Sequence, residues 1–188
     1  MRIIAGHFKG RNLKSPATLD TRPTSDRLRE TLFNILTPEI TDARFLDLCA
    51  GSGAIGIEAL SRGAAHATFV DRSKKMRALI KGNLALCKAS PEDFEVVTAD
   101  AVDFLRKASH GKSAAWDIVF YDPPYSEDYQ GVLDTLGDTR LELLRADGML
   151  VVEHHHKTDL PESVDQLVRY RILKQGESAL SFFRKTDE

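Results

Sequence analysis

The chain has 188 residues, 42% hydrophobic and 29% charged, an ordinary balance for one globular domain. No run is long and apolar enough to span a bilayer, and residues 1–6 hold too short an apolar stretch for a secretory signal. Two cysteines, Cys49 and Cys87, build neither a disulfide scaffold nor a zinc site, so the expectation is a metal-free monomer in a reducing cytoplasm.

The net charge of -2 hides an asymmetry. Residues 1–35 hold seven basic side chains (Arg2, Lys9, Arg11, Lys14, Arg22, Arg27 and Arg29) against three acidic ones. Of the chain's 26 basic and 28 acidic residues, 19 and 25 are left for the remainder. A basic head on an acidic body suits a segment that meets phosphates, although a solvated arm without a partner has the same composition. Within the head, residues 2–5 and 11–13 read as short strands. Thr24 or Ser25 starts a helix to residue 36 with Leu28, Leu32, Ile35 and Leu36 on one side, and Thr37-Pro38 ends it. Nothing between head and body reads as a low-complexity linker, so residues 1–38 are expected as an extension packed on a core of residues 39–188.

From residue 44 onward strand and helix patterns alternate, which signals βαβ units and a parallel sheet. Arg44–Leu48 reads as a strand, followed by a Gly-rich turn and a helix over 54–62. His66–Asp71 is the next strand, and Ser73 caps a helix running towards residue 88. Phe94–Thr98 is the third, with a helix over 101–107, and Trp116–Tyr121 the fourth. A helix over 129–136 and the stretch 141–144 lead to a fifth strand over 149–153. The stretches 167–173 and 179–184, around Gln175-Gly176-Glu177-Ser178, read as a closing hairpin.

Two loops carry the chemistry. The first, Asp47-Leu48-Cys49-Ala50-Gly51-Ser52-Gly53-Ala54-Ile55-Gly56, contains G-x-G-x-x-G between a strand and a helix, with the acidic Asp71 closing the next strand. Alone, this pattern would also suit a nicotinamide dinucleotide. Asp47, however, stands where a carboxylate would oppose an incoming pyrophosphate. S-adenosylmethionine has no phosphate and offers an ammonium and a sulfonium, which an acid helps to hold. On that reading Gly51 and Gly53 admit the methionine part of the cofactor, and Asp71 takes the ribose hydroxyls. Asp100 accepts from the adenine amine, or simply caps the following helix, or does both.

The second loop is Asp122-Pro123-Pro124-Tyr125, at the carboxyl end of the fourth strand. In an open α/β sheet, ligands bind at that end. Consecutive prolines hold the backbone extended and remove amide donors. A carboxylate, rigid carbonyls and an aromatic face are thus presented together, a set suited to a flat ring carrying an amine. Read alone, the same residues would also make a plain Pro-rich turn. Such a motif has no evident role in hydride transfer, which further disfavours the dinucleotide.

Taken together, these residues resemble the bacterial ribosomal small-subunit methyltransferase D family. The likeness rests on Met1-Arg2-Ile3-Ile4-Ala5-Gly6 with Lys9-Gly10-Arg11, on residues 21–30 (Thr-Arg-Pro-Thr-Ser-Asp-Arg-Leu-Arg-Glu) and on Phe33-Asn34-Ile35-Leu36. It continues through Leu46-Asp47-Leu48-Cys49-Ala50-Gly51-Ser52-Gly53, residues 58–64 and Asp122-Pro123-Pro124-Tyr125. Cys49 departs from the pattern, standing where the family often has an aromatic residue. The resemblance implies a class I S-adenosylmethionine-dependent methyltransferase fold, Rossmann-like, with a seven-stranded, mostly parallel sheet whose last strand is antiparallel. It implies methylation of the exocyclic N2 amine of a guanine in 16S rRNA, in an assembled or partly assembled small subunit.

The same likeness implies that Arg2, Lys9 and Arg11 meet RNA phosphates while Arg22, Arg27 and Arg29 line the approach to the pocket. One of the helix arginines is expected to pair with Asp26 or Glu30 instead. Asp122, Pro123 and Tyr125 are the expected catalytic set: Asp122 and a carbonyl near Pro123 accept from the amine, and Tyr125 stacks on the base. An adenine-N6 methyltransferase would share the proline motif, whereas a glutamine methyltransferase usually has Asn where Asp122 stands. A non-catalytic RNA-binding module would need neither loop. The run His154-His155-His156 reads as rim residues, because adjacent histidines on a strand point to alternate faces.

Overall fold

The computed structural model describes residues 1–16, 25–109, 115–124 and 128–186. Among these residues five α-helices and eight strands follow in chain order: α1 (Asp26–Leu36), β1 (Arg44–Leu48), α2 (Ala54–Ser61), β2 (His66–Asp71), α3 (Lys74–Cys87), β3 (Phe94–Thr98), α4 (Ala101–Ser109) and β4 (Trp116–Tyr121). The remainder are α5 (Gln130–Gly137), β5 (Leu144–His155), β6 (Ser163–Val164), β7 (Leu167–Gln175) and β8 (Ser178–Lys185). They form one sheet in the order β3-β2-β1-β4-β5-β8-β7-β6. β1 to β5 pair in parallel, and β8 enters antiparallel against β5 and β7.

The sheet has one strand more than the seven expected. The addition is the two-residue β6, which folds back on β7 through Ser163↔Val168 and Val164↔Leu167 after Asp165 adopts φ 47°. β5 also starts earlier than its apolar run suggests. Leu144 pairs with Trp116, the register then shifts, and the exposed residues 145–147 bulge out before Met149 resumes beside Ile118.

Apolar residues alternate onto the two faces of the sheet. Phe45, Ile118, Phe120, Met149 and Val151 pack under α1, α2 and α3, and Leu46, Leu48, Val119, Tyr121 and Val152 under α4 and α5. Each fully buried Leu or Phe contributes roughly 1.5–3 kcal/mol relative to an exposed one. Caps fix where helices begin: the Ser25 hydroxyl accepts from the Leu28 amide at 3.1 Å, and the Ser73 hydroxyl from Met76 at 3.4 Å.

Residues 1–16 and α1 belong to the same core. Ile3, Phe8, Leu13, Leu28, Leu32, Phe33 and Leu36 are buried with the α2–α3 layer. The two short strands expected in the head reduce to one bridge, Arg2↔Asn12. The reason is that one side of the hairpin is already satisfied by α2. The buried Glu58 carboxylate accepts from the amides of Ile4 (2.8 Å) and Ala5 (3.0 Å), and Ser61 Oγ accepts from Phe8 at 2.8 Å. Gly6 makes this seat possible: its φ is +79°, and a Cβ there would lie 1.7 Å from the Ser61 carbonyl oxygen.

Candidate active site

The order of β2, β1 and β4 creates a switch point, where the chain leaves β1 towards β2 on one side while β4 lies on the other. Both loops singled out in the sequence open there. β1 pairs with β4 through Asp47↔Phe120 and Leu48↔Tyr121, and the amide of Asp122 donates to the carbonyl of Leu48 at 3.4 Å. The glycine loop and the proline motif therefore share one end of the sheet.

The glycine loop is held from three sides. Cys49, Gly51 and Gly53 all have positive φ (61°, 53° and 77°), which turns the chain sharply into α2. Asp71 accepts from the Gly51 amide at 2.9 Å through one oxygen and from Ser73 at 2.8 Å through the other. Asp47 accepts from Gly56 at 2.9 Å. The buried Asn83 donates to the carbonyls of Ser52 (2.9 Å) and Lys14 (3.0 Å), so the N-terminal arm is tied to the loop. A Cβ at Gly56 would lie 2.3 Å from the Phe69 ring, so α2 can pack on β2 only with glycine there. In front of Gly51 a Cβ would meet no atom closer than the Cys49 carbonyl oxygen at 4.0 Å, leaving an open cradle.

Acid dominates this end. Asp47 is 2% exposed, and burial raises its pKa to about 7, with the nearby Asp71 adding to the rise. Burial, then Glu153, then Asp47 raise Asp122 well above the usual carboxylate range. This donor set fits a cationic, hydroxyl-bearing group and opposes a pyrophosphate, so it suits S-adenosylmethionine and not a dinucleotide.

Asp100 is exposed and accepts from the amides of Val102 (2.9 Å) and Asp103 (3.3 Å), the capping role weighed from the sequence. Pro123 is buried and Pro124 exposed. Tyr125 and Arg22 lie outside the described residues. Arg2, Lys9 and Arg27 are exposed, while Arg11 is half-buried and lies over the Phe8 ring at 5.3 Å.

Two expectations are corrected. Arg29 does not face the approach to the pocket: its side chain is 0% exposed, donates to the Arg2 carbonyl and to Asp26, and lies 3.9 Å from Glu58. Its place on the inner face of α1, beside Leu28, Leu32 and Phe33, puts it under the N-terminal hairpin. His154 is not at a rim. It is 2% exposed, with Nε2 2.8 Å from Ser181 Oγ and Nδ1 2.9 Å from the His155 carbonyl, and burial lowers its pKa. Among the described residues no group of three or more His, Cys, Asp or Glu is placed to hold a metal, and no helix is long and apolar enough to cross a membrane.

The sequence reading missed Glu153, which is 4% exposed and acts electrostatically on Asp122. Its only signal was an acid at the carboxyl end of an otherwise apolar strand. A cavity of about 340 Å³ beside Glu39, Asp117 and Arg145 lies at the opposite end of the sheet from both motifs.

Known proteins match this arrangement along nearly the whole chain. A family model described as Conserved hypothetical protein 95 matches residues 1–184. Ribosomal RNA small subunit methyltransferase D of Escherichia coli is 38% identical over 192 residues, covering 95% of this chain and 93% of that protein. The chain belongs to this methyltransferase family. YlbH of Bacillus subtilis, which is named as an rRNA methyltransferase, is 40% identical over 185 residues, 98% of this chain and 99% of that one. The solved structure of the Escherichia coli protein yhhF aligns at a TM-score of 0.83 with 35% identity, covering 100% of this chain and 99% of the other. The sheet order and the glycine loop are thus those of a class I methyltransferase, and the chain is an enzyme of that class.

Proposed function

We propose that the chain transfers a methyl group from S-adenosylmethionine to the exocyclic N2 amine of a guanine in 16S rRNA, in an assembled or partly assembled small ribosomal subunit. The observation that carries this reading is the Asp122–Leu48 hydrogen bond, which sets the amine-accepting motif against the loop suited to the cofactor. The relative named for small-subunit ribosomal RNA supports the class of substrate.

Bound S-adenosylmethionine supplies an electrophilic methyl group on a sulfonium. Asp47 and Asp71 hold its cationic and hydroxyl-bearing parts, and Gly51 leaves room for its approach. A guanine amine is a poor nucleophile because its lone pair is delocalised into the ring. Hydrogen bonds to Asp122 and to the carbonyl of Pro123 favour a pyramidal nitrogen whose lone pair points away from the ring. Tyr125 supplies an aromatic face, a stacking contact worth about 1–3 kcal/mol. Positioning provides most of the rate, and Asp122 need not be a strong base because the amine becomes acidic once methylated. A base within folded RNA is first turned out of its stack, at a cost of a few kcal/mol. Arg2, Lys9, Arg11 and Arg27 provide the charge that meets phosphates.

The test is transfer of radiolabelled methyl onto small subunits from cells lacking the modification, followed by digestion and identification of the nucleoside. N2-methylguanosine in 16S rRNA is expected. Label on an adenine N6 would move the chain to the other reaction served by the same motif.

A further inference from the structure

Three carboxylates stand in a row across three adjacent strands: Asp47 on β1, Asp122 just beyond β4 and Glu153 on β5. β4 and β5 are paired through Phe120↔Val151 and Tyr121↔Val152, so Asp122 and Glu153 occupy the next step of the register. Neighbouring strands lie about 4.8 Å apart, close enough for two flexible carboxylates to converge on one small ring edge. Glu153 falls on the same sheet face as Met149 and Val151, four and two residues before it, and that face also bears Asp47. Asp47 belongs to the glycine loop, where it binds Gly56. The row therefore runs from the cofactor side, through Asp122, to a substrate side marked by Glu153.

Half-buried Asp122 and Glu153, at 4% exposure, set two acceptors side by side, a pattern matched by a ligand that presents two donors side by side. Guanine does so: its N1–H and its 2-amino group are adjacent on one edge. Adenine does not, because its N1 is a bare acceptor beside the 6-amino group. Resting on the guanine-N2 reading above, we infer that Glu153 is a specificity-determining residue whose carboxylate takes the guanine N1–H while Asp122 takes the 2-amine. An adenine entering the same pocket would set its N1 lone pair against the Glu153 carboxylate, so the pair selects by repulsion as well as by attraction. The electrostatic influence of Glu153 on Asp122 agrees with this closeness.

The test uses the full chain as wild type, Glu153→Gln and Glu153→Ala. Calorimetry with S-adenosylhomocysteine is expected to give affinities within about threefold of one another, since Glu153 lies away from the glycine loop. The nucleoside labelled by wild type is identified and its position mapped, and RNA is then prepared with guanine or 2-aminopurine at that position. 2-Aminopurine keeps the 2-amine and lacks the N1–H. Wild type is expected to prefer guanine by at least about tenfold in kcat/KM. Glu153→Gln, whose amide can donate to a bare N1 or accept from N1–H, is expected to cut that preference to within about threefold. Glu153→Ala should lose at least about tenfold on guanine.

A preference unchanged in Glu153→Gln, with label still on guanine N2, overturns the role of Glu153 and leaves the guanine reading standing. Loss of S-adenosylhomocysteine binding in Glu153→Gln shows a structural role and overturns it as well. Label on adenine by the wild type overturns the guanine reading and this assignment together.

Discussion

The amide of Asp122 reaches the carbonyl of Leu48 at 3.4 Å, tying the end of β4 to the strand that feeds the glycine loop. This bond brings the carboxylate proposed for the substrate amine beside the loop suited to the cofactor, and most of the expected mutant behaviour follows from it.

Asp122→Ala removes the acceptor and leaves the glycine loop intact. Methyl transfer should fall by at least about a hundredfold, while affinity for S-adenosylhomocysteine changes by less than about threefold. Single-turnover labelling beside calorimetry separates the two quantities. Near-normal turnover in this variant would falsify the proposed mechanism.

Asp47 titrates at about 7 when folded against an ordinary value of 3.8, because burial disfavours its charge. Between those values the folded state holds more protons than the unfolded one. The group's contribution to stability is therefore complete below about pH 4 and is lost as pH rises through 7. Asp47→Asn should flatten this dependence and stabilise the protein at pH 8 by on the order of 2 kcal/mol, with little gain at pH 5. Cofactor affinity should weaken at least about tenfold in the same variant. Urea melts at the two pH values check the first part, and a pH-independent difference between variant and wild type would contradict it.

Cofactor binding should also release protons. A cation placed beside Asp47 and Asp122 favours their charged forms and so lowers the raised pKa values of both. At pH 7, calorimetry with S-adenosylmethionine in phosphate and in Tris should give different apparent enthalpies, in the direction of net proton release. Equal enthalpies in the two buffers would mean that both acids keep their protonation states.

Glu58 binds the N-terminal hairpin at Ile4 and Ala5 and pairs with Arg62 at 2.8 Å. Truncation to Ala leaves two amides without their acceptor and the buried Arg29 with Asp26 but not Glu58 as a neighbouring charge. A loss of about 3–5 kcal/mol is expected. Gly6→Ala should unseat the hairpin by steric conflict with Ser61. Limited proteolysis within residues 1–16 should accelerate in both variants, and intact resistance would place the docking energy elsewhere.

Lys9→Glu combined with Arg27→Glu should weaken RNA binding and reduce the dependence of log K on log salt by roughly 0.7–0.9 for each phosphate no longer neutralised. Cofactor affinity should not change. Arg29→Ala should instead lower stability, since its guanidinium is engaged inside the protein. If the double charge reversal left RNA affinity untouched, the head would not be part of the interface.

Much of this was legible in the order of residues. Apolar runs, cap residues and turn glycines gave the alternation of strands and helices within a residue or two, as at Ser73 before α3 and Thr37 after α1. Local chemistry is enough for such elements, because hydrogen-bond partners lie within a few residues. The bulge in β5 and the added β6 were not legible, since pairing with β4 and β7 rather than intrinsic pattern determines them.

By itself the sequence determined that a Gly-rich loop follows one strand and Asp122-Pro123-Pro124 another, and that positive charge gathers at the head. Tertiary structure alone decided which of those charges face water and which acids meet. Arg29 is sealed beneath the hairpin while Arg27, on the same helix, remains exposed, because only one side of α1 packs on the core. Glu153 joins Asp122 because β5 lies next to β4, and strand neighbours are fixed by long-range packing that no local stretch of residues encodes.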